Sequence, residues 1–118
     1  MKKILIVALL VLFPFVCFAH DIEFEWDPNT ETDLAGYRLY QSNTSGQYGS
    51  TPVAEIAHPS TGKALTNLVD GQYFWVVTAF DMSGNESAYS NEVTWTFEDG
   101  DPAAPAIRIK VVVEVTVP

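Results

Sequence analysis

Cysteine occurs once in 118 residues, at Cys17, histidine twice, and basic side chains only six times. Each scarcity removes a class of function. One cysteine inside a leading apolar run leaves no disulfide, zinc–thiolate site or cysteine nucleophile in the folded part. Six bases against 15 acids give a formal net charge of −9. That balance works against nucleic acid and anionic membrane surfaces, both of which require phosphates to be neutralised. Two histidines without a nucleophile-elbow glycine pattern make no catalytic triad. No helical period exceeds one turn, so the alternating helices of a parallel sheet are excluded as well. The expectation is a non-catalytic chain that uses no cofactor.

The longest apolar run stands at the start. Lys2 and Lys3 precede an unbroken stretch from Ile4 to Phe18, and Cys17 and Ala19 sit at −3 and −1 of a cut before His20. This is the anatomy of a cleaved secretory signal over residues 1–19. It is too short to span a bilayer comfortably, and Pro14 interrupts it. Phe15 and Val16 before Cys17 argue against lipid attachment there. The expected destination is the periplasm, the cell exterior or the cell surface, with no membrane contact after cleavage. The remaining 99 residues carry a formal charge of −11 and suffice for one domain.

What is present is period two. Ile22, Phe24 and Trp26 alternate with Glu23, Glu25 and Asp27. A second strand is predicted over Ala35–Ser42, with Tyr37 and Leu39 on one face and Arg38 and Tyr40 on the other. Further strands are predicted over Val53–Ala57, Ala64–Leu68, Tyr73–Phe80 and Asn91–Glu98. Clusters of Gly, Asn, Ser and Pro separate them. Short strands at this spacing mean an all-β sandwich.

Three stretches carry a family resemblance: Trp26-Asp27-Pro28-Asn29 through Asp33–Tyr40; Leu68 followed by Tyr73; and Val77–Asp81 through Gly84–Ser87 and Ser90–Val93. In this order they resemble the fibronectin type III domain in its bacterial and phage-like single-domain form, over roughly Ile22 to Phe97. The resemblance implies an immunoglobulin-like β-sandwich over residues 20–98, with a tyrosine corner at Leu68 and Tyr73. Its core would be Phe24, Trp26, Tyr37, Leu39, Leu68, Tyr73, Trp75, Val77 and Val93. The period-two pattern independently turns Trp26 and Trp75 inward.

One departure matters. Only His20 and Asp21 stand between the expected cut and Ile22, so the family's first strand is missing and a sheet edge is left open. Past a Pro/Gly/Ala linker at 99–106, residues 107–117 form the most regular alternation in the chain. Ile107, Ile109, Val111, Val113, Val115 and Val117 lie on one face. Such a strand needs a partner. Two docking sites compete: the edge beside Ile22–Trp26, where Arg108 and Lys110 could meet Glu23 and Glu25, and the edge beside Asn91–Glu98. Docking within one molecule is favoured by the tether, and exchange between copies would make a homo-oligomer.

Candidate functional residues are few. Phe74, Val76 and Phe80 share an outward face with Tyr40, an apolar stripe that calls for a cover. Asn85 and Glu86 occupy a loop at one pole. These six are the candidate binding residues, for an unidentified protein or polysaccharide. Asp27, Asn29, Glu31 and Asp33 fall at alternate positions, as calcium ligands do. Thr32 stands where an EF-hand needs glycine and Arg38 where it needs its acid, so turn formation is the preferred reading. His20 at a new N-terminus invites a copper reading, with His58 as the one further imidazole. Asn43-Thr44-Ser45 and Asn85-Glu86-Ser87 match the glycosylation sequon.

Overall fold

The computed structural model describes residues 19–98 and 107–111. The expected signal lies outside them apart from Ala19, as do the linker at 99–106 and the tail beyond residue 111. Seven strands run through the described residues: β1 His20–Trp26, β2 Leu34–Ser42, β3 Ala54–Ala57, β4 Gly62–Leu68, β5 Gly71–Asp81, β6 Val93–Phe97 and β7 Ile107–Val111. They form two sheets in the orders β4-β1-β7 and β3-β2-β5-β6. The expectation of an all-β, two-sheet architecture holds.

The alternation read in β1 places its residues as anticipated. Ile22 and Phe24 are fully buried and Trp26 nearly so, while Glu25 between them is exposed. From the facing sheet come Tyr37, Leu39, Trp75, Val77 and Ala79, all with no accessible surface. Phe24 meets Trp75 edge-on at 5.0 Å, and Trp26 meets Tyr37 likewise at 5.2 Å, so aromatic pairs bridge the sheets at two levels. Tyr73 is buried, and its hydroxyl donates to the Val69 carbonyl at 2.7 Å, next to the expected position of Leu68. Leu68 and Val93 are only partly buried and pack against the core from its margin. Ile22, Leu34, Ile56, Leu65 and Phe97 complete the core.

Two boundaries differ for a physical reason. β6 begins at Val93 rather than Asn91, because residues 87–90 bond to β5 through serine side chains and leave the regular ladder. β4 begins at Gly62, paired to Glu25 of β1.

The tail strand docks on the open edge. β7 pairs with β1 in parallel, from Ile107 opposite Ile22 to Val111 opposite Trp26. Arg108 bridges Glu23 at 3.0 Å and Glu25 at 2.9 Å. Lys110 reaches Asp27 at 3.2 Å instead of the glutamates, both of which Arg108 already holds. Ile109 packs against the core. The alternative edge beside Asn91–Glu98 is not the one used.

Chain geometry favours this closure. The His20 ring stacks on Phe97 at 4.6 Å, so β1 begins where β6 ends. Ile107 lies opposite Ile22, two residues further along.

Candidate functional site

The outer face of the four-stranded sheet carries the apolar stripe, and the chain covers most of it itself. Val76 and Tyr40 are 3% and 5% exposed, clustered with Tyr48 and with partly buried Phe74. The cover is the loop between β2 and β3. Glu92 holds it down by accepting from Ser45 Oγ at 2.6 Å, from the Gly46 amide at 3.0 Å and from the Tyr48 hydroxyl. The Ser45 bond, then that from Tyr48, hold the Glu92 carboxyl below its ordinary range. Burial first, then the Glu92 bond, push the Tyr48 hydroxyl up. Phe80, at the other end of the stripe, lies 4.1 Å beneath the Arg38 guanidinium.

Between the cover and Arg38 a cleft of about 500 Å³ stays open, lined among others by Tyr40, Ser50, Thr78, Glu86 and Tyr89. Its floor is a polar knot. Glu86 Oε2 accepts from the Tyr40 hydroxyl and from Thr78 Oγ1, each at 2.5 Å. Oε1 accepts from Arg38 at 3.0 Å, and Arg38 also binds Glu55 at 2.9 Å. Burial is the largest single influence on the Glu86 carboxyl and works to raise it. The bonds from Thr78, Tyr40 and Arg38 together outweigh it and hold the group below its ordinary value. Burial and the same hydrogen bond push the Tyr40 hydroxyl up to about 12. At neutral pH the floor is an ionised, charge-compensated acceptor.

The wall is Tyr89, and the backbone explains its position. Ser87 and Ser90 stand three apart. The Ser87 amide donates to the Ala79 carbonyl at 2.8 Å, and its hydroxyl accepts from the Ala79 amide at 2.9 Å. Ser90 makes the same exchange with Val77, at 2.9 and 2.8 Å. With both serines satisfying β5, Ala88 and Tyr89 between them are lifted out of the ladder. Tyr89 is 51% exposed, yet it packs edge-to-face against Tyr40 at 5.8 Å and Tyr48 at 5.4 Å. An exposed ring braced by two others is held in place by its neighbours.

Of the candidates read from sequence, Tyr40 and Glu86 meet in this cleft. Phe74 and Val76 lie under the loop, and Phe80 lies under Arg38. Asn85 serves its own turn, its amide group bonded to Asp81 Oδ2 at 3.0 Å and its backbone amide to Oδ1 at 2.8 Å. The side-chain bond from Asn85 leads the influences that hold the Asp81 carboxyl low. Sequence reasoning missed Tyr48, Ser50 and Tyr89. A tyrosine within a Ser/Gly-rich loop and the Ser-x-x-Ser spacing around Tyr89 were the available signals.

The alternate acids of 27–33 do not converge. Asp27 is taken by Lys110, the Asn29 amide group donates to Glu31 at 3.4 Å, and the Asn29 backbone amide donates to the Tyr37 hydroxyl at 2.8 Å. Among the described residues no group of three His, Cys, Asp or Glu side chains is placed to hold a metal. The two loops do share a pole, since the Met82 amide donates to the Asp33 carbonyl at 2.9 Å. His20 is engaged by Asp70 at 2.7 Å and by the Phe97 ring. The sequon amide of Asn43 donates to the Gln72 carbonyl at 3.0 Å.

Comparison of the chain with protein-family models, curated proteins and solved structures finds no match in any of the three.

Proposed function

We propose that this chain is an exported, non-catalytic binding module of the fibronectin type III kind, presenting the Tyr89 cleft to a protein or polysaccharide partner. The sheet orders β4-β1-β7 and β3-β2-β5-β6 support the family reading, because β7 occupies the edge where the missing first strand would lie. The parallel pairing of β7 is a departure from an ordinary first strand. One observation carries the functional reading. The chain closes its own open edge and covers most of its own apolar stripe, yet leaves one braced, half-exposed tyrosine beside a cleft. A mostly covered face that keeps one aromatic-walled cleft open is organised for display.

The second reading is a self-assembling subunit that donates β7 to a neighbour. Its motive is the long linker before a strand whose anchoring ion pairs are exposed. Size-exclusion chromatography of residues 20–118 separates the two. The module reading expects a monomer at all concentrations, with oligomers appearing when residues 101–118 are deleted and the β1 edge is bared. Concentration-dependent oligomers of the intact form, lost on that deletion, would overturn it. N-terminal sequencing of exported protein tests the cut before His20.

A further inference from the structure

We infer that the Tyr89 cleft is a binding site for a neutral polysaccharide. This deepens the module reading and rests on it. The chemistry of the lining selects the ligand class. A sugar ring offers one face of C–H groups and a rim of hydroxyls, so it needs an aromatic platform beside fixed acceptors and donors. Tyr89 supplies the platform, half-exposed and braced by Tyr40 and Tyr48. Glu86 supplies the acceptor. Its Oε2 is filled by Tyr40 and Thr78, whereas Oε1 takes one bond from Arg38 and has a second lone pair to offer. Ser50 across the cleft brings a hydroxyl that both donates and accepts.

Charge decides between this ligand and its competitors. Arg38 at 3.0 Å compensates Glu86, so the cleft presents an acceptor rather than a free negative charge to an incoming lysine or arginine. An anionic polysaccharide is opposed by the formal charge of −9 and by the absence of any lysine or arginine from the cleft lining. A neutral polyol suffers neither penalty. At about 500 Å³ the shallow cleft is large enough to seat a sugar ring.

The test is retention of residues 20–118 on microcrystalline cellulose, chitin and insoluble starch, beside affinity electrophoresis in soluble β-glucan and galactomannan. The wild type is expected to be retained by at least one of these. Tyr89→Ala should weaken that retention roughly tenfold, as loss of a central aromatic anchor does. Ser50→Arg, which fills the cleft without touching the core, should do the same. Met82→Ala, exposed on the neighbouring loop, should leave retention unchanged. Circular dichroism melts of each variant separate lost binding from lost fold. No retention of a monomeric wild type on any of these glycans overturns the polysaccharide assignment while the module reading stands, and so does retention indifferent to both cleft variants. A purified protein partner whose binding is lost with Tyr89→Ala, in place of any glycan retention, also overturns it. An intact form that oligomerises through its tail overturns the module reading itself, whatever the glycans do.

Discussion

Glu86 is the residue on which the outer face turns, and its partners show why. Thr78 is 1% exposed and Tyr40 5%, so removing the carboxylate would take the shared acceptor from two hydroxyls at the floor of the cleft. Glu86→Ala is expected to cost about 1 kcal/mol in urea unfolding, the net worth of hydrogen bonds whose lost acceptor water from the cleft can replace in part. Glu86→Gln keeps an acceptor and should cost less, so the order of the two variants tests the hydrogen-bond explanation against a purely ionic one. The same carboxylate sets a pH dependence. Glu86, Glu92 and Asp81 all have folded values held below their ordinary ones of 4.5, 4.5 and 3.8. Groups shifted in that direction add stability that is complete above the ordinary value and is lost as pH falls through the folded one. Thermal midpoints should therefore be level from pH 7 to about 5 and decline progressively below it. Glu92→Gln should flatten part of that decline and raise hydrogen exchange in the 43–50 loop, which Glu92 holds through three bonds. None of this was legible in the chain as written. Glu86 reads as one acid among 15, and only the turn at Asp81–Asn85 folds it back over Arg38 and Tyr40.

At the scale of elements, the inward faces of β1, β2 and β5 were legible because a two-residue period has only one way to bury Phe24, Trp26, Tyr37, Leu39, Trp75 and Val77 together. The outward face of β5 was legible as apolar but not as covered. A Ser/Gly-rich stretch such as 43–50 carries no period, so nothing in it announces that Tyr48 will fold down onto Val76. Tyr89 escaped for a related reason: paired serines that bond a neighbouring strand reciprocally interrupt the very alternation used to recognise strands. One element-level contact makes a sharp prediction. At Gly36, between β3 and β5, a Cβ would stand 2.4 Å from the Ile56 carbonyl oxygen. That neighbour is backbone and cannot rotate away, so β3 must separate from β2. Gly36→Ala is expected to cost about 1–3 kcal/mol of unfolding free energy. Amide exchange should rise at the Tyr37–Ile56 and Arg38–Glu55 pairings of β2 with β3 before it rises at β2–β5.

For the whole molecule, the decisive feature is an acidic body closed by a strand that carries half of its basic residues. Of the four bases after residue 19, Arg108 and Lys110 belong to β7; Arg108 faces the β1 carboxylates of Glu23 and Glu25, and Lys110 faces Asp27 just past the end of β1. That match made the β1 edge one of two readable candidates, and the pairing of β7 with β1 decides between them. The parallel direction was not readable, because it follows from β1 beginning beside the end of β6, a long-range fact reported by His20 on Phe97. Exposed ion pairs are worth little singly, about 0–1 kcal/mol, so the ladder sets which edge and which register β7 takes more than how tightly it holds. Salt should then act in two opposed ways. Screening at 0.3 M relieves the self-repulsion of the acidic body and raises its melting temperature, while it loosens the attraction of Arg108 for Glu23 and Glu25. Arg108→Glu separates the two effects. It should raise exchange at the β1 amides paired with β7 at low salt. Added salt should partly restore protection in this variant, since repulsion is then what is screened, and should weaken it in the wild type. Protection of β1 that responds to salt in the same direction in both forms would mean that the charges facing across this edge have no part in seating the strand.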